Sequence, residues 1–131
     1  ADILSSVHQP AMQTIISNTT EVGIQYLPEK IANGVPSSFP GKLLAILWER
    51  YSHFKGSKGA GFVIVPTELI VDNGRLLKEI VLKLMSCQKA LSTGLTTKTA
   101  SATRWSTELY PANPATWQNQ SRKPAIPTSY G

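Results

Sequence analysis

Apolar positions recur along residues 1–86 at helix and strand spacing, and beyond that point the pattern stops. Ile3, Leu4 and Val7 fall on one helical face and Pro10 follows as a stop, so the opening stretch reads as the end of a helix. Gln13–Ser17 is a short β-branched run that predicts a buried strand. It passes into a polar cluster, Asn18, Thr19, Thr20 and Glu21, at its C-terminal end. Gly23, Pro28, Gly34 and Pro36 mark loops. From Pro40 the pattern turns helical: Leu43, Leu44, Leu47, Tyr51 and Phe54 form an apolar stripe, with Lys42, Glu49 and Arg50 assigned to the other faces. Pro40 suits the first turn, where its lack of an N–H costs nothing. Phe62–Pro66 is a continuous apolar run of the kind buried on both faces of a parallel sheet. Asn73 and Gly74 then open a second helix with a core stripe of Leu76, Leu77, Ile80, Val81 and Leu84, and Asp72 or Asn73 as its N-cap.

Strand, helix, strand, helix at this spacing implies an α/β fold with parallel strands joined by right-handed crossovers. Ligands of such sheets sit beyond the carboxyl ends of the strands. Those ends are the segments around Asn18–Glu21 and Thr67–Asn73. Asn18, Thr19 and Thr20 offer hydroxyl and amide groups to a cofactor, and Glu68 and Asn73 follow the next strand at a comparable height. On position alone these serve as turn and cap residues as readily as ligand contacts.

Composition sharpens the break after Ser86. In the last 45 residues Ser, Thr, Pro and Ala supply 23 positions, while Leu, Ile, Val and Phe supply four, too few for a core. The net charge of +5 divides unevenly: residues 1–86 carry +1 and the remainder +4. Basicity is therefore a property of the tail. A nucleic-acid-binding protein using that tail, with Trp105 and Trp117 stacking on bases, is the alternative reading, and disorder is the simpler one. Cys87 is the only cysteine, which excludes an internal disulfide and a CxxC metal site and suits a reducing cytoplasm. No apolar run approaches membrane-spanning length, and the first residues lack a signal-peptide pattern. With no initiator Met, the chain is expected to begin inside a longer protein.

The glycine-rich Gly56–Gly61 lacks the lysine-Ser/Thr ending of a phosphate loop and precedes a strand, so it reads as a connection. Gly-x-Gly-x-x-Gly and Gly-x-Ser-x-Gly are both absent from this sequence. His8 and His53 lie far apart in sequence with no acidic neighbours at ligand spacing; a helix end and a surface position are expected of them, and no metal site.

Three linked motifs carry a specific resemblance. Ile16–Ile24 is similar to the SNTTE-x-GI segment of bacterial tagaturonate reductases, also called altronate oxidoreductases. Ser38–Leu43 with Trp48–Phe54 resembles their SYPAKL…ERFSHF helix, and Phe62–Ile70 with Asp72–Gly74 resembles their strand–PCELI–NG segment. Order and spacing agree across nearly all of residues 1–86. The wider group, the polyol-specific long-chain dehydrogenases with mannitol dehydrogenase and fructuronate reductase, carries SCDNLPxNG at the third motif. Leu69 here replaces an asparagine of the mannitol enzymes, which favours the tagaturonate branch, and Thr67 replaces that branch's cysteine.

The resemblance implies a Rossmann-like sheet and NAD(H)-dependent interconversion of tagaturonate and altronate, small-molecule substrates of hexuronate breakdown. Asn18, Thr19 and Thr20 would line the cofactor cleft; Glu68 and Asn73 would border the active site or stabilise its loops. The family's glycine-rich loop would precede this sequence. Its catalytic lysine and histidine would lie in a C-terminal helical domain outside it, so no catalytic residue is assigned here and inactivity alone is expected. Neither membrane nor nucleic acid is an expected partner, and the expected compartment is the cytoplasm.

The family continues from this point with FCNSLVDRIVPG, which is absent from the tail as written. If the third base of each codon is joined to the first two bases of the next, the codons of Lys98–Ala112 permit NCFCNSLVDRIVPG. The expected organisation is thus residues 1–86 as the later part of a Rossmann-like nucleotide-binding domain, and 87–131 as a low-order, irregular or disordered tail produced by a frameshift at about 86–92.

Overall fold

The computed structural model describes residues 2–20, 22–88 and 103–105. Its elements, in chain order, are α1 (Ile3–Val7), β1 (Thr14–Ser17), α2 (Phe39–His53), β2 (Val63–Pro66), α3 (Asn73–Ser86) and β3 (Arg104–Trp105), with short 3-10 turns at Ile31–Asn33 and Lys58–Ala60. The strands form one parallel sheet in the order β1-β2-β3. Thr14 to Ser17 pair in register with Val63 to Pro66. The α/β class with a parallel sheet and flanking helices is as the sequence pattern predicts.

Register and burial together define two unequal faces. Ile15 pairs with Ile64 and Ser17 with Pro66, and these positions face the helices, where Ile64 and Ser17 are buried. Alternate positions point the other way: Ile16 is 70% exposed and Val63 and Val65 are half-buried. The expectations of a Phe62–Pro66 strand buried on both faces and of a buried Gln13–Ser17 strand are therefore corrected: among the described residues only one face is covered, and β1 lies at the sheet edge. The helices pack on each other over the covered face, joining Leu43, Leu44 and Leu47 of α2 to Leu77, Ile80, Val81, Leu84 and Met85 of α3, with Val7, Phe62 and Ile64 in the same cluster.

Local chemistry explains the helix starts. At α2, Ser38 is the N-cap, its Oγ accepting from the N–H of Gly41 at 3.1 Å, and proline occupies the first turn. The Glu29 carboxylate accepts from the N–H groups of Ser37 (2.8 Å) and Ser38 (3.2 Å) and from both hydroxyls, so an anion sits beside the positive helix end. The α3 start differs from expectation. Asp72 takes a left-handed conformation (φ 53°) and its side chain caps nothing; Asn73 lies inside the helix, with its Oδ1 accepting from the N–H of Gly74 at 2.7 Å. In α1 only Val7 is buried, while Ile3 and Leu4 are 66% and 41% exposed.

Two parts of the stretch expected to be irregular join the packed body. Gln88, 5% exposed, donates to the carbonyls of Glu29 and Leu84 and accepts from the N–H of Ile31. Trp105 of β3 packs, partly buried, against the core. The rest of the expected tail, including Trp117, lies outside the described residues.

Candidate functional site

Parallel pairing brings the two strand ends side by side and sets the polar residues after them against one another. Thr67 continues the ladder past β2, its N–H donating to the Ser17 carbonyl at 2.8 Å and its hydroxyl to the same oxygen at 2.7 Å. The next residue, Glu68, is 1% exposed. Its Oε2 accepts from the Ser17 hydroxyl at 3.2 Å, and its Oε1 accepts from the N–H and the hydroxyl of Thr19, both at 3.0 Å. Burial pushes the Glu68 carboxyl up. The N–H groups of Thr19 and Glu68 and the hydroxyls of Ser17 and Thr19 outweigh that push, so it sits below the usual carboxylate range. Glu68 is thus a buried, ionised acceptor bridging β1 to β2.

Asn73 completes the support from behind. Fully buried at the first turn of α3, it donates from Nδ2 to the carbonyls of Pro66 (2.9 Å) and Glu68 (3.1 Å). One side chain therefore fixes the exit of β2 to the start of α3. The sequence-expected residues fall into two sets: Thr19, Glu68 and Asn73 form a connected polar cluster with Ser17, whereas Asn18 and Thr20 stand exposed on the same loop. Ser17 was not anticipated, and its signal was the placing of one hydroxyl at the helix-facing register of an otherwise aliphatic strand. Chemically the cluster offers hydrogen-bonding groups at paired strand ends. Its one carboxylate is buried and engaged by Ser17 and Thr19, a bracing role between the two strand ends.

The other end of the sheet holds what sequence reasoning misplaced. Arg50 does not face solvent; it is 4% exposed. Its Nε donates to the carbonyl of Ala60 (2.7 Å), Nη1 to those of Val7 (2.6 Å) and Gln9 (2.7 Å), and Nη2 to Met12 (3.0 Å). The guanidinium also lies 4.4 Å and 4.6 Å from the ring centres of Phe54 and Phe62. Helical spacing contained the signal, because Leu43, Leu47, Arg50 and Phe54 follow one stripe. His8 and His53, distant in sequence, stack with ring centres 4.0 Å apart, and His8 Nε2 lies 2.7 Å from Glu49 Oε1. Among the described residues no group of His, Cys, Asp and Glu has the arrangement of a metal site, and no helix is long and apolar enough to cross a membrane.

Comparison with known proteins places this geometry in a family context. The altronate oxidoreductase of Halalkalibacterium halodurans is 46% identical over 81 residues, which is 61% of this chain and 16% of that protein. That of an Enterobacter species is 46% identical over 83 residues, 63% of this chain and 17% of the relative. The Pectobacterium atrosepticum enzyme is 41% identical over 93 residues, 70% of this chain and 19% of its own length. No family model matches, and no solved structure does. Over roughly two thirds of its length this chain is similar to the altronate oxidoreductases, and it spans under a fifth of the length of each.

Proposed function

We propose that the described body is a segment of an NAD-dependent oxidoreductase of the tagaturonate/altronate type, within the polyol-specific long-chain dehydrogenases. It supplies the paired ends of two strands of a Rossmann-like nucleotide-binding domain. The observation that carries this reading is the Glu68 bridge to Ser17 and Thr19, which holds the Asn18–Thr20 loop at the carboxyl end of the sheet, where nucleotides bind in such folds. Asn18, Thr19 and Thr20 would line the cofactor cleft, and Glu68 and Asn73 support its loops from beneath. Bound NAD(H) would supply the hydride chemistry for the ketone/alcohol pair, and the proton-transfer groups would come from outside this segment.

The tail from about residue 86–92 onward is, on the same proposal, out of frame. The compositional break after Ser86 supports this reading.

The test is a transplant. Residues 1–86 replace the matched segment of the Halalkalibacterium halodurans enzyme, and altronate-dependent reduction of NAD is followed. Turnover within about tenfold of the parent is expected, with no turnover from the 131-residue chain alone. A chimera that melts cooperatively yet has lost all turnover overturns the assignment.

A further inference from the structure

Within the Asn18–Thr20 loop the three side chains do not have equal freedom. Thr19 commits both its N–H and its hydroxyl to Glu68 Oε1 at 3.0 Å, and Glu68 has its other oxygen on Ser17. Gly23 lies close against the same side chain: a Cβ added there would lie 2.0 Å from Thr19 Oγ1 and 2.4 Å from its Cβ. The threonine side chain thus fills the space between a buried carboxylate and a glycine that admits no larger residue. Asn18 and Thr20, on either side, are exposed. The turn closes with the N–H of Gly23 donating to the Thr20 carbonyl at 3.0 Å.

We infer that Glu68 is a positioning residue that acts through Thr19, turning the Thr19 side chain inward and leaving Asn18 and Thr20 as the ligand-facing members of the loop. This rests on reading the strand ends as the cofactor cleft. Thr19 therefore shapes the cleft without touching the cofactor, and Gly23 is required because Thr19 occupies the volume a side chain there would need. The contacts of the Glu68 carboxylate, to Ser17 and Thr19, all serve to hold the loop.

The full chain tests this through amide exchange resolved at Thr19, with Glu68→Gln, Thr19→Val and Thr19→Ser. Glu68→Gln is expected to speed exchange of the Thr19 N–H at least tenfold while the Val63–Val65 amides stay protected. Thr19→Val should speed it severalfold, and Thr19→Ser should restore the wild-type rate. In the wild type, protection corrected for intrinsic exchange falls as pH drops through the Glu68 titration; in Glu68→Gln it does not. If Glu68→Gln does not fold, the valine and serine variants decide. A Thr19 N–H that exchanges at the wild-type rate in both Glu68→Gln and Thr19→Val, or a serine variant no better protected than valine, overturns the inference. None of these measurements needs a cofactor. An inactive, folded transplant with Thr19 protection intact removes the cofactor reading and leaves the clamp standing.

Discussion

Arg50 and Glu68 are the two buried charges that tie the described body together, and each is compensated in a different way. The Arg50 guanidinium meets four backbone carbonyls, from the α1 end, the approach to β1 and the turn before β2. Burial alone holds it below the usual arginine range. Hydrogen bonds to a charged donor contribute about 1.5–3 kcal/mol each before the cost of burying the charge, so the net is a fraction of their sum. Arg50→Met is expected to destabilise by about 3 kcal/mol in urea melts, by stranding four carbonyls without a donor. Arg50→Lys should recover part of this, since a lysine lacks the fork that reaches divergent acceptors. An Arg50→Met protein within 1 kcal/mol of wild type (about) contradicts the clamp.

Glu68 carries a pH signature. A carboxyl held below its usual range when folded gives stability that is fully present above the unfolded value, near pH 4.3 (roughly), and is lost as pH falls through the folded value. Glu68→Gln resembles the protonated side chain. The stability gap between wild type and Glu68→Gln is therefore expected to be widest above about pH 5 and to close on acidification. A gap that widens in acid would contradict an ionised Glu68.

At the scale of elements, α2 and α3 were legible because their aliphatic stripes are long and regular, and packing agreed with propensity. The strands were legible in place but not in surroundings. An aliphatic run does not reveal how many neighbours the sheet has, so Ile16 was expected to be buried and is 70% exposed. The start of α2 was legible from Pro40 in its first turn but its Ser38 cap was not, and at α3 Asn73 turned back to the strand end. Arg50 was misplaced because a charged side chain was assigned to solvent by type, although its position continues the apolar stripe. The Glu29 anchor could not be read at all, because it crosses a loop to reach Ser37 and Ser38.

That anchor makes its own prediction. The hydroxyls of Ser37 and Ser38 do most to hold the Glu29 carboxyl down at about 2. Ser38→Ala, which removes the N-cap and one of these donors, should cost about 1 kcal/mol. It should also raise the Glu29 pKa, as followed by the carboxyl's NMR titration. An unmoved titration would mean that the serine hydroxyl does not hold the carboxylate. The edge at β1 makes another. With Ile16 exposed beside the unpaired side of the strand, Ile16→Lys is expected to lower concentration-dependent association without lowering the melting temperature. Unchanged sedimentation at high concentration would count against that edge as the sticky surface.

For the molecule as a whole, similarity and structure meet in one place: a parallel pair of strand ends whose polar residues are braced by Glu68 and Asn73. The family resemblance was legible because three motifs keep their order and spacing through the helices that separate them. The Glu68 bridge was not, because it joins residues 51 and 49 positions apart and depends on strand register. On the proposal that an enzyme segment is joined to a tail read in another frame, the net charge of +5 carries no information about partners. The coding DNA from Met85 to Ala112 tests that proposal most directly. The account predicts that the codons of Lys98–Ala112, read with each third base joined to the next two, encode NCFCNSLVDRIVPG. Codons that encode some other peptide in that frame would contradict it.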